Sequence, residues 1–276
     1  MAQLSRYAHG LAALAFTATA FGAGGNIAIT GHDDDFHGST LAIAQISAMV
    51  TFARAGAPTP SLRVLSFDHG TELTSRLTAL GIPFTNIDPD AGVPAASNFN
   101  VATYSAILVA SDSTCGGCDN TATSITNLTG AATAIGAFLN AGGGIVAFAG
   151  AQNASTYYGF LPASASGGGT PPSTGFVQTA FGATVGIPAV NGDATHNFFT
   201  TPGTGGVAAV YGVVETVTVS GVTSNETLAC QNCTTASLSG GGTPTATAVP
   251  AATVPVLILT GLLLIGMVCF LRLRAA

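Results

Sequence analysis

The stretch Gly31–His37, GHDDDFH, sets three consecutive carboxylates between two imidazoles in a chain whose residues are only 7% charged. Neutral imidazole nitrogens and carboxylate oxygens together make a donor set for a divalent cation, and the same groups act as general acids and bases near neutral pH. His32, Asp33 and His37 are therefore the candidate metal ligands, with Asp35 beside them as a further ligand-binding group. A blander reading competes: Asp and Ser after a strand form turns and caps, and Asp35 or Ser39 would then only start the helix at Thr40. Two histidines and three acids are more than a turn needs.

Such side chains converge only if a frame brings them together, and the pattern of apolar runs supplies one. Short apolar stretches at Asn26–Thr30, Leu62–Phe67, Phe84–Ile87, Ala106–Ala110 and Ile145–Ala149 alternate with helical spacing over Thr40–Ala55, Thr71–Leu80 and Ser124–Asn140. Strand–helix alternation of this kind predicts an α/β fold of βα units around a mostly parallel sheet. Gly142, Gly143 and Gly144 mark the stop of the long helix. Beyond Gly150 the pattern changes. Residues 163–175 read as a surface loop, and Val207–Val222 alternates like an antiparallel ribbon, a β-rich C-terminal completion.

In an open parallel sheet ligands bind at the carboxyl ends of the strands. The first strand runs into His32, Asp33, Asp34, Asp35 and His37, the second into Asp68 and His69, the third into Asp88 and Asp90, and the fourth into Asp112. His196, in a late loop, is expected to fold over the same rim. The candidate ligand-binding residues are thus His32, Asp33, Asp35, His37, Asp68, His69, Asp112 and His196. As turn formers and caps, Asp68, Asp88, Asp90 and Asp112 would have no ligand at all.

The two ends of the chain speak of location. Residues 1–20 carry a weakly basic start, an apolar core and an Ala18-Thr19-Ala20 cleavage pattern, as in a secretory signal peptide. Residues 237–253 have the Gly/Thr/Pro/Ala composition of a flexible linker. Residues 254–271 are uncharged and about 27 Å long as a helix, enough to span a membrane, and Arg272 and Arg274 would stay on the cytoplasmic side. This leaves one main domain, residues 21–236, outside the cytoplasm, and a transmembrane or sorting segment at 254–276. Between residues 21 and 253 only Arg54, Arg63 and Arg76 oppose twelve carboxylates, a net charge of −9 that argues against nucleic acid and anionic lipid as partners.

The cysteines form two CxxC pairs, Cys115/Cys118 and Cys230/Cys233, with Cys269 in the apolar tail. An oxidising compartment favours disulfides, local or crossed, while a four-thiolate zinc site and redox exchange remain alternatives.

Two resemblances extend these readings. The tether, the Val254-Pro255 step, the short span and the terminal arginines resemble the C-terminal sorting signals of exported bacterial proteins, the PEP-CTERM and IPTL-CTERM type. That implies a sorting protease as partner. The stretches TGHDDDFH, YSAILVAS and IGAFLNAGGGIVAFAG resemble the class I glutamine amidotransferase-like domains of trehalose-utilisation type. That resemblance implies a flavodoxin-like, doubly wound sheet over residues 26–215. Members with amidotransferase activity place a nucleophilic Cys on the turn after a core strand; here that turn is Gly150-Ala151-Gln152-Asn153, with neither Cys nor Ser. The sequence thus points to an exported, membrane- or surface-tethered envelope protein with a non-catalytic module for a metal or small polar ligand. The alternatives are a metal-assisted hydrolase acting on a sugar or other small polar substrate, with His32, Asp33, His37 and His196 as ligands or bases, and a disulfide-linked surface-layer subunit.

Overall fold

The computed structural model describes residues 24–112, 120–150, 154–162, 165, 167–192, 195–199 and 211–235. The expected signal peptide, the linker, the membrane or sorting segment at 254–276, and Cys115, Cys118 and Cys269 lie outside these residues. Among the described residues no helix is long and apolar enough to cross a membrane.

The fold is α/β, an eight-stranded, mostly parallel sheet in the order β3-β2-β4-β5-β1-β8-β7-β6. Strands β1 (Gly25–Thr30), β2 (Val64–Phe67), β3 (Phe84–Ile87), β4 (Ala106–Val109) and β5 (Gly144–Ala147) form the parallel block. Strands β6 (Val177–Gln178), β7 (Gly212–Val219) and β8 (Val222–Cys233) add an antiparallel flank, with β8 against β1. The apolar runs of β1, β2, β4 and β5 are buried throughout because helices cover both faces. Alternate residues feed two cores. Ile27, Ile29, Leu65, Phe67, Ile107 and Val109 pack under α4 (Ala122–Gly130) and α5 (Ala132–Asn140). Ala28, Val64, Leu108 and Val146 meet α2 (Thr40–Ala55) and α3 (Glu72–Ala79).

The strand order differs in one respect from a flavodoxin sheet, where the first strand lies between the second and third. Here β2 to β5 follow the order of the first four strands of that sheet, and β1 takes the place of its fifth. That position leaves β1 free to pair on its outer side with β8, so the end of β1 faces residues from the late part of the chain.

The helix over Thr40–Ala55 has the expected bounds, and Ser39 caps it by accepting from Ala42 N at 3.1 Å. The single helix expected over Ser124–Asn140 is instead two, divided at Ala131, just after Gly130. The first of them starts on Thr121, whose hydroxyl accepts from Thr123 and Ser124 N. Cys230 and Cys233 pair with each other inside β8, so the local disulfide holds for this pair and the crossed one does not. The bond bridges the place where β8 shifts register against Gly25 and Ile27, where Asn232 takes a positive φ of 54° and donates its N–H to Asn26 Oδ1.

Candidate metal centre

The site begins where β1 ends. Gly31 N donates to Glu226 O at 2.9 Å, and Gly31 O accepts from His196 N at 3.0 Å and Asn197 N at 3.3 Å. A Cβ on Gly31 would overlap Asn197 O, so glycine is what lets the 195–199 loop lie against the strand end. Next comes α1 (Asp34–His37), a single turn capped by Gly38 in the left-handed region at φ 59°. Arg76, on α3, donates from Nε to Asp35 O at 3.0 Å and from Nη2 to Phe36 O at 2.7 Å, taking up carbonyls at the end of that turn.

This local structure collects three donors. One helical turn brings His37 back over Asp33, with Nε2 at 3.2 Å from Asp33 Oδ2, and the late loop brings His196 Nε2 to 2.7 Å from the same oxygen. Asp33 is completely buried, whereas the side chains of His37 and His196 are 33% and 22% exposed. The rings lie 6.4 Å apart at 30°, and the three donor atoms are all within 4.8 Å of one another. At 2.7 Å, His196 Nε2 and Asp33 Oδ2 are within charge-assisted hydrogen-bond distance. The Asp33 carboxylate holds the His196 imidazole above its ordinary pKa, against the effect of its burial.

The chain matches no family model, no curated protein and no solved structure.

Behind the three donors lies a buried polar layer. Asp35 is fully buried and accepts from Ser111 N at 2.8 Å on one oxygen and from Ser111 Oγ on the other. Burial pushes its pKa up to about 7, the Ser111 bonds oppose this, and the Asp33 charge adds to it. Asp112, also buried, donates its N–H to Ala149 O. Gly150 N donates to Asn197 Oδ1 at 2.8 Å and to the Tyr158 hydroxyl at 3.2 Å, which ties the end of β5 to the same late loop. Tyr158 is completely buried, and burial pushes the pKa of its hydroxyl up.

The structure joins Asp33, His37 and His196 and keeps Asp35 and Asp112 close to the ends of β4 and β5. It does not join His32 to them. Of the expected metal set of His32, Asp33 and His37, the structure keeps Asp33 and His37 together with His196 alongside them, and places His32 apart. Side chains alternate in direction past a strand end, so His32 turns toward Glu215, with Nε2 at 3.0 Å from Oε2, and packs edge-on against Phe176. Asp68, three residues before the N-cap Thr71, accepts from Thr74 N in the first turn of α3 at 3.0 Å, a structural role of the kind its position after β2 allowed, and burial raises its pKa. His69 belongs to a separate exposed group, 2.9 Å from Asp88 Oδ1 and 3.6 Å from Asp90 Oδ2.

Residues that sequence reasoning passed over are Ser111, Tyr158, Asn197, Glu215 and Glu226. Two of them carried a signal. Glu215 in VVETV and Glu226 in NETLA are charged residues among strand formers, and both are completely buried.

Proposed function

We propose that this chain is an exported, membrane- or surface-tethered bacterial envelope protein whose domain binds a divalent metal ion through Asp33, His37 and His196. The ion would serve a non-catalytic module that holds a small polar ligand. The observation that carries the reading is the Asp33 carboxylate, buried between two imidazole nitrogens 2.7 and 3.2 Å from one of its oxygens. Two histidines and one carboxylate on one side of an ion leave positions open on the other, the arrangement that accepts a further ligand. The partial exposure of both rings gives that ligand an approach.

Export and tethering rest on residues 1–20 and 254–276, and the sorting-signal resemblance of the tail supports a sorting protease as partner. A relation to class I glutamine amidotransferase-like, flavodoxin-like domains is part of the proposal, supported by the doubly wound parallel block and by the order of β2 to β5.

One observation favours a second reading, metal-assisted hydrolysis of a sugar or other small polar substrate. The rings of His37 and His196 are partly exposed beside the buried Asp33 carboxylate, so a water or substrate would reach an ion held there.

Calorimetric titration of the full chain with Zn²⁺ and Mn²⁺ tests the metal site. Binding at the rim weakened at least about 100-fold in His196→Ala is the expected outcome. Equal affinity in the wild type and in His196→Ala would remove the site. Protease accessibility of the domain on intact cells tests display.

A further inference from the structure

The whole chain has three glutamates, Glu72, Glu215 and Glu226, and the fold seals the last two completely from solvent. Glu215 is fully engaged. Its Oε1 accepts from Val190 N at 2.7 Å, and its Oε2 accepts from the Thr227 hydroxyl at 2.8 Å and lies 3.0 Å from His32 Nε2. A carboxylate with these partners makes His32 Nε2 the protonated ring nitrogen and leaves Nδ1 as an acceptor. Glu226 is the opposite case. Neither of its oxygens has a hydrogen-bond partner, and its Oε1 lies 4.0 Å from that same His32 Nδ1, which has none either.

Two acceptors facing each other in a closed interior are reconciled by a proton. As a neutral acid Glu226 supplies the missing donor, and a turn of its side chain that closes the gap by about 1.2 Å makes an O–H···N bond of ordinary length. The groups around it oppose the ionised form. Glu215 on β7 and Asp34 on α1 add negative charge, and with burial they raise the pKa of Glu226, while the buried Tyr158 hydroxyl feels the Glu226 charge from the other side.

The position of Glu226 gives this proton a consequence. Gly31 donates its N–H to Glu226 O and takes His196 N and Asn197 N on its own carbonyl. A Cβ on Gly31 would strike both Asn197 O and Glu226 Oε1, so the acid lies against the 195–199 loop with a carbonyl oxygen beside it. We propose that Glu226 is a pH-sensitive latch: as a neutral acid it donates to His32 Nδ1 and keeps the 195–199 loop seated on β1, and loss of its proton releases that loop and His196 with it. Once ionised, Glu226 faces Asp34, Glu215, the His32 Nδ1 lone pair and Asn197 O, and lifting the loop admits the water that its charge needs. The latch is closed on the acid side and opens as pH rises through the folded pKa of Glu226. It rests on the fold and not on an ion at the rim.

The test uses the full chain in chelator with carbon-13 in its glutamate carboxyls, which give three signals. At about pH 6, above the ordinary glutamate range, one signal should report a protonated acid, and it should vanish in Glu226→Gln. Hydrogen exchange over residues 195–199 then reads the latch. As pH is raised through the titration of that signal, the wild type should lose at least about 10-fold more protection than Glu226→Gln, whose amide keeps a donor and carries no charge. Three ionised glutamates at about pH 6 overturn the proposal. So does a protonated Glu226 whose titration leaves the loop as protected as in Glu226→Gln. Should Glu226→Gln not fold, the wild type decides alone: protection must fall with the titration of the protonated signal, and a fall unconnected with it sinks the latch. Zinc titration of the rim is a separate measurement, so failure of the latch leaves the metal reading standing.

Discussion

A carboxylate with no exposure is a costly group unless a charge or hydrogen bonds meet it, and this domain buries Asp33, Asp34, Asp35, Asp112, Glu215 and Glu226 together. Metal removal should therefore expose a pH dependence of definite sign. Burial raises the folded pKa of Asp35 to about 7 from an ordinary value of 3.8, and it raises Glu226 as well. A carboxyl group with a raised folded pKa contributes its full stability below its unfolded pKa and loses it as pH rises through the folded value. The raised pKa of His196 acts in the same direction, but above its ordinary value of 6.5. In chelator, urea denaturation should show stability falling between about pH 4 and pH 7, with Asp35 alone contributing on the order of 4 kcal/mol. Asp35→Asn should flatten that slope; an unchanged slope would mean that Asp35 titrates normally. At the rim, His37→Ala should weaken metal binding as His196→Ala does, because each removes one of three donors, and calorimetry compares the two directly.

The elements that carry these side chains are small and held from outside. The α1 turn has only four residues, too short to persist alone, and Arg76 on α3 bonds two of its carbonyls. Arg76→Ala should cost about 1–3 kcal/mol and loosen His37, lowering metal affinity while leaving the β-sheet circular dichroism intact. The late loop depends on a glycine instead. In Gly31→Ala the new methyl would collide with Asn197 O and crowd Glu226 Oε1. That variant should lose rim binding as fully as His196→Ala, although the substituted residue is no ligand, and should melt well below the wild type. Retained zinc affinity in Gly31→Ala would show that His196 reaches Asp33 without this close approach.

Across the whole molecule, the fold gathers the chain's rare charges into a few places. Four strand ends and one late loop deliver nearly all its described acids and imidazoles to one edge of the sheet or to the β1–β8–β7 seam. The Cys230–Cys233 disulfide closes a very short loop within β8, so its contribution is at the low end of the range for disulfides, about 2 kcal/mol. The Cys230→Ser/Cys233→Ser protein should still fold and bind metal, with a denaturation midpoint lowered to that extent. Loss of folding in that variant would give the disulfide a larger role than its loop length allows. Because these two cysteines pair with each other, a disulfide-linked surface layer would have to use other cysteines.

The parallel strands, the covering helices and the rim of His and Asp were legible in the residues themselves, because apolar periodicity and strand-end polar residues are local properties of a chain. So was the return of His196 to the rim as an expectation, from the type of residue and its place in a late loop. The partner of each imidazole was not. Whether His32 or His196 joins Asp33 depends on which side of the β1 end each ring falls, and that is set by β1 pairing with β8 instead of standing inside the parallel block. The break at Ala131 and the closing of Cys230 on Cys233 likewise arise from packing and register. Residue chemistry and periodicity are encoded locally and could be read from the chain. Pairings between residues some 160 to 200 positions apart, such as His37 with His196 or His32 with Glu226, exist only once the sheet order has brought those segments together.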